Sequence, residues 1–171
     1  MSRADEAFRA LMRQVPLPVA VVTAAGTHEK RGVTIGSFTG VSIDPPLISF
    51  NIMRVSRMHP VITQAERFAV HILADDQAAV SVLFAKPDYT GTQQFAAVSH
   101  TLDPDGVPLL GDTVGILHCT IHALHQAGDH SIVVGEVLYT TDGPRSRPLL
   151  YHKGAYRRLG QRIVESMQAL P

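Results

Sequence analysis

The sequence predicts a mainly β fold, a closed or nearly closed barrel with a few short flanking helices. Three observations predict it. Short β-branched and apolar runs recur along the chain, punctuated by Gly, Pro and Asp. Two longer runs, residues 114–127 and 131–141, face each other across Gly128-Asp129-His130. The helical patterns between these runs are all short.

Residues 3–15 read as the first helix, because Phe8, Leu11, Met12 and Val15 repeat on one face. Ser2 and Asp5 are capping candidates, and Pro16 and Pro18 end the helix. Residues 19–25 form a strand, followed by the charged turn His28-Glu29-Lys30-Arg31. Residues 32–42 read as one continuous second strand, closed by Asp44-Pro45-Pro46. Strands follow at 47–53 and 68–73, and a last short one at 149–152 or 156–159. Short helices are expected at 58–65, 76–85 and 92–97, the second capped by Asp75 or Asp76. A tail helix is expected over 160–171. No composition shift or repeat divides the chain, so residues 1–171 are expected to form one domain, with the barrel over about 18–159.

Composition narrows the function. Apolar residues make up 45 % and charged residues 18 % of the 171, as in an ordinary globular protein. Fifteen basic residues balance fifteen acidic ones, so no broad basic field is available to grip nucleic acid. Cys119 has no cysteine partner, which argues against a disulfide-stapled secreted domain. The charged N-terminus lacks a signal-peptide core, and no segment is apolar for the roughly 18–20 residues a membrane span needs. A cytoplasmic location with no membrane contact is therefore expected.

Familiar catalytic motifs are missing. The chain has no G-x-S-x-G elbow, no phosphate-binding G-x-x-x-x-G-K-[ST] loop and no G-x-G-x-x-G opening a helix. His118 and His122 share a strand face about 13 Å apart, too far for one zinc, and His125 points the other way. They read as solvent or dimer-face histidines. The alternate row Leu117, Cys119, Ile121 and Ala123 reads as core, with Cys119 buried and inert.

Three segments remain. Gly32, Gly36 and Gly40 recur every four residues and would strip one strand face of bulk, with Thr34 offering a hydroxyl to it. Such a face admits a ligand close to the backbone, or it marks a bulged barrel corner. Ser56 is placed to cap the helix that follows, between Arg54 and Arg57, and a serine, free amides and guanidinium groups suit a phosphate. An exposed basic loop with a routine cap is the other reading. Lys86 would end the helix over 76–85, and His130 would sit at the mouth of its strand.

In order and spacing these pieces resemble the flavin reductase family with the FMN-binding split-barrel fold, the reductase components of two-component flavin-dependent monooxygenases. The stretches that carry the resemblance are Gly32-Val33-Thr34, Ser37-Phe38, Val41-Ser42, Pro45-Pro46-Leu47, Ser56-Arg57, Phe68 to Leu73, Phe84-Ala85, Gly128-Asp129-His130, Gly135-Glu136-Val137, Pro148-Leu149, Tyr151 and Gly154-Ala155-Tyr156. They run from about residue 8 to residue 159.

The resemblance implies a split β-barrel of Greek-key-like order. It implies that Thr34, Ser37 and Phe38 line the isoalloxazine and ribityl chain, and that Ser56 and Arg57 hold the flavin phosphate. Ala85 and Lys86 would lie near the phosphate or adenylate end. Ile35, Thr39, Asn51 and Arg54 are counted with the cofactor-binding residues. His130 would contact the nicotinamide, and Tyr156 would close the same pocket. Gly36 and Met58-His59 depart from the usual pattern.

The implied cofactors are FMN or FAD, with NADH or NADPH as hydride donor. The implied partners are a second copy of the chain and a monooxygenase fed by diffusing reduced flavin. Hydride transfer between stacked rings requires positioning rather than a protein nucleophile or metal, so no catalytic residue and no metal ligand is assigned. Four alternatives stay open: a non-catalytic flavin-binding sensor, an oxidase of pyridoxamine-phosphate type, a deazaflavin-dependent oxidoreductase, and an all-β binding domain without flavin in which the glycines are only barrel corners.

Overall fold

In a computed structural model of the chain, residues 3–161 are described. The elements run α1 (Arg3–Met12), β1 (Leu17–Pro18), β2 (Ala20–Ala25), β3 (Lys30–Ile35), β4 (Thr39–Ser42), β5 (Leu47–Met53), α2 (Met58–Gln64) and β6 (Arg67–Ile72). They continue α3 (Ala78–Phe84), α4 (Gly91–Ala96), β7 (His100–Leu102), β8 (Pro108–Leu110), β9 (Gly115–Ala127), β10 (His130–Asp142), β11 (Leu150–His152) and β12 (Ala155–Arg157). The predicted tail helix and the proposed Ser2 cap lie outside the described residues, apart from Gly160 and Gln161, which have no regular structure.

The main sheet is antiparallel in the order β3-β2-β6-β9-β10-β5-β4. It curls on itself. Ala20, Val22 and Ala24 of β2 share one core cluster with Phe50 of β5, Phe68 and Val70 of β6, Cys119 of β9 and Val133 of β10. The sheet thus wraps an apolar interior, with Phe50 and Phe68 meeting edge to face at 5.6 Å. Cys119 is 1 % exposed and its thiol is pushed up to about 12 by burial, as its place in the apolar row predicts.

The ends of β9 and β10 pair Ala127 with His130, leaving Gly128-Asp129 as a two-residue turn with Gly128 at φ +62°. The sheet β1-β11-β12 sits beside the barrel, so both candidate last strands exist and pair as a hairpin. Neither β1 nor the β7–β8 hairpin was legible, being two- and three-residue strands.

Residues 32–42 are two strands, not one. The chain leaves the ladder at residues 36–38, and the three glycines serve different ends. A Cβ at Gly32 would lie 2.6 Å from the Phe84 ring, and one at Gly36 would press on Leu17 at 3.0 Å. Gly40 faces open space. Local capping also differs from expectation. Arg57, not Ser56, occupies the N-cap position of α2, with no side-chain bond, and Gln77 rather than Asp75 or Asp76 precedes α3. The cap that forms is on α4, where Thr90 and Gln93 bond reciprocally.

His118 is not a solvent-facing residue. It is 6 % exposed and stacks on Tyr139 at 4.1 Å, beside the fully buried His71 on the outer face of the sheet. Burial lowers the His71 pKa to about 4, although its Nδ1 bonds the Val21 carbonyl at 3.0 Å. Burial also lowers His118, with Asp103 opposing. These shifts set a sign. Between about 6.5, the ordinary histidine value, and about 4 the unfolded chain binds a proton at His71 that the folded chain refuses. Stability is therefore full above about pH 6.5 and falls by about 3 kcal/mol as pH drops to about 4. Chemical denaturation at a series of pH values checks this. A His71→Gln variant should show a shallower fall over the same window.

Candidate functional site

Two clefts meet on one side of the barrel. The first, about 490 Å³ and so of small-ligand size, is lined by Thr34, Ile35 and Ser37 from β3 and the break after it, by Asn51 and Met53 of β5, and by His130. The second, about 370 Å³, is lined by Arg31, Ser56, Arg57, Ala85, Lys86 and Asp88. Val33, Met53 and Ser56 line both, so the two form one trough. The segments 34–37 and 56–57, far apart in sequence, converge because β3 curls over to meet β5, and the loop after β5 then passes beneath the end of α3.

The trough is polar at one end. The Ser56 hydroxyl is buried and has no partner among the described residues, although burial of an unpaired hydroxyl is costly. Arg57 donates to the Asp88 carbonyl at 3.4 Å, a long contact that leaves most of its guanidinium free. Lys86 reaches the Tyr89 hydroxyl at 3.3 Å and lies over that ring at 4.6 Å. An orphaned hydroxyl beside two cations is the donor set a phosphate completes. The amides of α2 add little to it, since the helix has seven residues and the Ser56 carbonyl already accepts from His59.

At the other end, the Ser37 hydroxyl accepts from the Asn51 amide at 2.8 Å, which pins the chain break against β5 and leaves the hydroxyl proton to donate. The His130 Nδ1–H donates to Asp129 at 2.7 Å. That bond, ahead of the Coulombic attraction of His130, holds the Asp129 carboxyl below its usual range. It also fixes the ring of His130, which lines the first cleft.

Thr34 lines the first cleft but turns its hydroxyl away from it, and several other sequence-predicted residues sit elsewhere. The Thr34 hydroxyl donates to the Ser81 carbonyl at 2.7 Å rather than into the cleft. Phe38 packs against the core cluster, and Thr39 is exposed with its hydroxyl on the Gly40 carbonyl. Arg54 is exposed outside both clefts, its amide on the Asp129 carbonyl. Tyr156 also lines neither cleft. Its hydroxyl donates to Ser81 Oγ at 2.8 Å.

Two contributors were missed. Arg31, taken as part of a charged turn, is 3 % exposed and donates to the Tyr89 carbonyl at 2.6 Å, fixing the loop that carries Lys86. Ser81, fully buried, ties β3 to β12 through Thr34 and Tyr156. Their polarity in otherwise local patterns was the available signal. No group of three or more His, Cys, Asp or Glu suited to a metal occurs among the described residues.

Residues 12–160 match the model of the flavin reductase like domain. An NADH-dependent FAD reductase of Streptomyces globisporus is 37 % identical over 164 residues, covering 95 % of this chain and 90 % of that one. The reductase component of 4-hydroxyphenylacetate 3-monooxygenase from Thermus thermophilus is 34 % identical, covering 90 % and 96 %. Among solved structures, the NADH:FAD oxidoreductase of Streptomyces globisporus in complex with NAD and FAD fragments superposes with a TM-score of 0.86 at 34 % identity, covering 96 % of this chain and 98 % of that one.

Proposed function

The chain belongs to the flavin reductase-like family and is an NAD(P)H-dependent flavin oxidoreductase, and from that premise we propose that its flavin, FMN or FAD, lies along the trough from Ser37 to Lys86. The observation that carries this placement is the buried, unpartnered Ser56 hydroxyl between Arg57 and Lys86, joined by a continuous floor to the cleft under His130. Ser56, Arg57 and Lys86 hold the phosphate. Val33, Ile35 and Met53 give the ring an apolar bed, and Ser37 donates to a ring acceptor. Thr34 acts through its bond to Ser81, which keeps β3 in place.

The flavin supplies the ring that accepts hydride, and the protein supplies alignment and exclusion of water. His130 positions the donor. The bond from Nδ1–H to Asp129 orients the ring, and Nε2 is the ring nitrogen left to meet the carboxamide of the nicotinamide. No side chain of the trough needs to gain or lose a proton for the transfer.

The reading extends to assembly. The chain forms a homodimer through the long β9–β10 hairpin, which leaves Leu124, Leu138 and Tyr139 from 40 % to 50 % exposed. Reduced flavin leaves for a partner monooxygenase, as befits a relative of a monooxygenase reductase component. No helix among the described residues is long and apolar enough to cross a membrane.

Steady-state oxidation of NADH with free FMN tests the reading. Turnover beyond one equivalent per chain is expected. His130→Ala should raise the KM for NADH about tenfold with kcat little changed, the signature of lost uniform binding. Wild-type KM in that variant would remove His130 from the donor site.

A further inference from the structure

Two separate segments carry the two halves of the site. The loop between β5 and α2, residues 54–57, holds Ser56 and Arg57, and the turn between β9 and β10 ends in His130. Ser56 and His130 line the same cleft. Arg54, Val55 and Arg57 are exposed, Val55 at 87 %, so packing does little to hold this loop. Its position depends on a few hydrogen bonds.

Two of those bonds clasp the loop to the turn. The Arg54 amide donates to the Asp129 carbonyl at 2.9 Å. The Nε2 of His59, in the first turn of α2, meets the Ser131 hydroxyl at 3.0 Å. The anchors bracket the working residues on both segments: positions 54 and 59 enclose Ser56 and Arg57, and positions 129 and 131 enclose His130. A single bond would let the loop pivot on the turn, and the second removes the pivot. Ser131 is 5 % exposed and His59 is half-buried, so the second bond is partly shielded from competing water. His59 also gives its own amide to the Ser56 carbonyl at 3.1 Å. One residue thus touches both the serine of the phosphate end and the neighbour of His130.

We infer that His59 is a positioning residue that couples the two substrates: a phosphate held at Ser56 and Arg57 fixes the loop, and His59 passes that order through Ser131 to His130. This rests on the phosphate and donor placements proposed above. His59 itself need touch neither substrate. The donor binds more tightly when the flavin has its phosphate in place, and by linkage a bound donor tightens the hold on the phosphate by the same factor. The consequence is a difference between acceptors. FMN supports tighter donor binding than riboflavin, which has the same ring and no phosphate.

The test measures the KM for NADH with saturating FMN and with saturating riboflavin. In the wild type it should be about fivefold lower with FMN, the worth of roughly one hydrogen bond. In His59→Ala that advantage should vanish: the KM with FMN rises to the riboflavin value, while the riboflavin value and kcat with each acceptor stay put. Ser131→Ala should do the same, and the double variant should be no worse than either single one. His59→Gln, whose amide can both donate and accept, should restore the advantage. Three results would overturn the inference: equal KM values with the two acceptors in the wild type, a rise with riboflavin as large as with FMN in the alanine variants, or a Ser131→Ala variant that keeps the full advantage. A fluorescence titration separates this from the placement beneath it. Wild-type protein that binds FMN no more tightly than riboflavin would sink the phosphate placement, and the coupling with it. Tighter FMN binding alongside equal KM values for NADH would sink the coupling alone.

Discussion

Arg57→Ala should weaken flavin binding by about ten- to a hundredfold, the loss expected when a charge-assisted bond to a phosphate is removed. Among the described residues the guanidinium has one hydrogen bond, 3.4 Å to the Asp88 carbonyl, so its removal costs the fold little. The Ser56 hydroxyl beside it has no partner to turn to, which concentrates the effect on the ligand. Fluorescence titration with FMN measures the change, and thermal melting of the free protein should stay within a degree or two of wild type. The weakening should shrink as salt is raised in the wild-type reference, because the lost interaction is ionic. Unchanged affinity would place the phosphate elsewhere.

Gly32→Ala should destabilise the fold by about 1–3 kcal/mol, the range for overpacking a tight interior. Its Cβ would stand 2.6 Å from the ring of Phe84, which is itself buried between Val21, Leu73 and Phe95. The ring cannot swing away freely, because Phe95 packs against it at 5.6 Å. Space can be returned from the other side. Phe84→Leu should cost stability alone, yet Gly32→Ala should cost less in its presence, a coupling that a double-mutant cycle reads directly.

This glycine shows where the sequence was legible and where it was not. Gly32 and Gly36 do mark backbone that something approaches closely, whereas Gly40 faces open space. The pattern was silent on what approaches, because Phe84 and Leu17 are brought there by tertiary packing. The long runs that became β9 and β10, the buried Cys119 and the short helices carried strong local signals, and those elements stand where the periodicity put them. The two- and three-residue strands carry no periodicity to read.

The site divides along the same line. Ser37, Ser56, Arg57, Lys86 and His130 line the trough, and each is a polar residue at a turn or strand break, where side chains face outward. Phe38, Thr39, Arg54 and Tyr156 fall outside it because one residue of strand register, or one hydrogen bond to Ser81, turns a side chain away. The Ser81 latch joins residues 34, 81 and 156, and no local pattern signals a contact of that range.

The most direct test is a crystal structure of the protein soaked with FMN. The ring should lie against Val33 to Ser37 beneath His130, with its phosphate on Ser56, Arg57 and Lys86. A flavin bound on another face of the barrel, or one whose phosphate points away from Ser56, would contradict the convergence of these two segments on a single ligand.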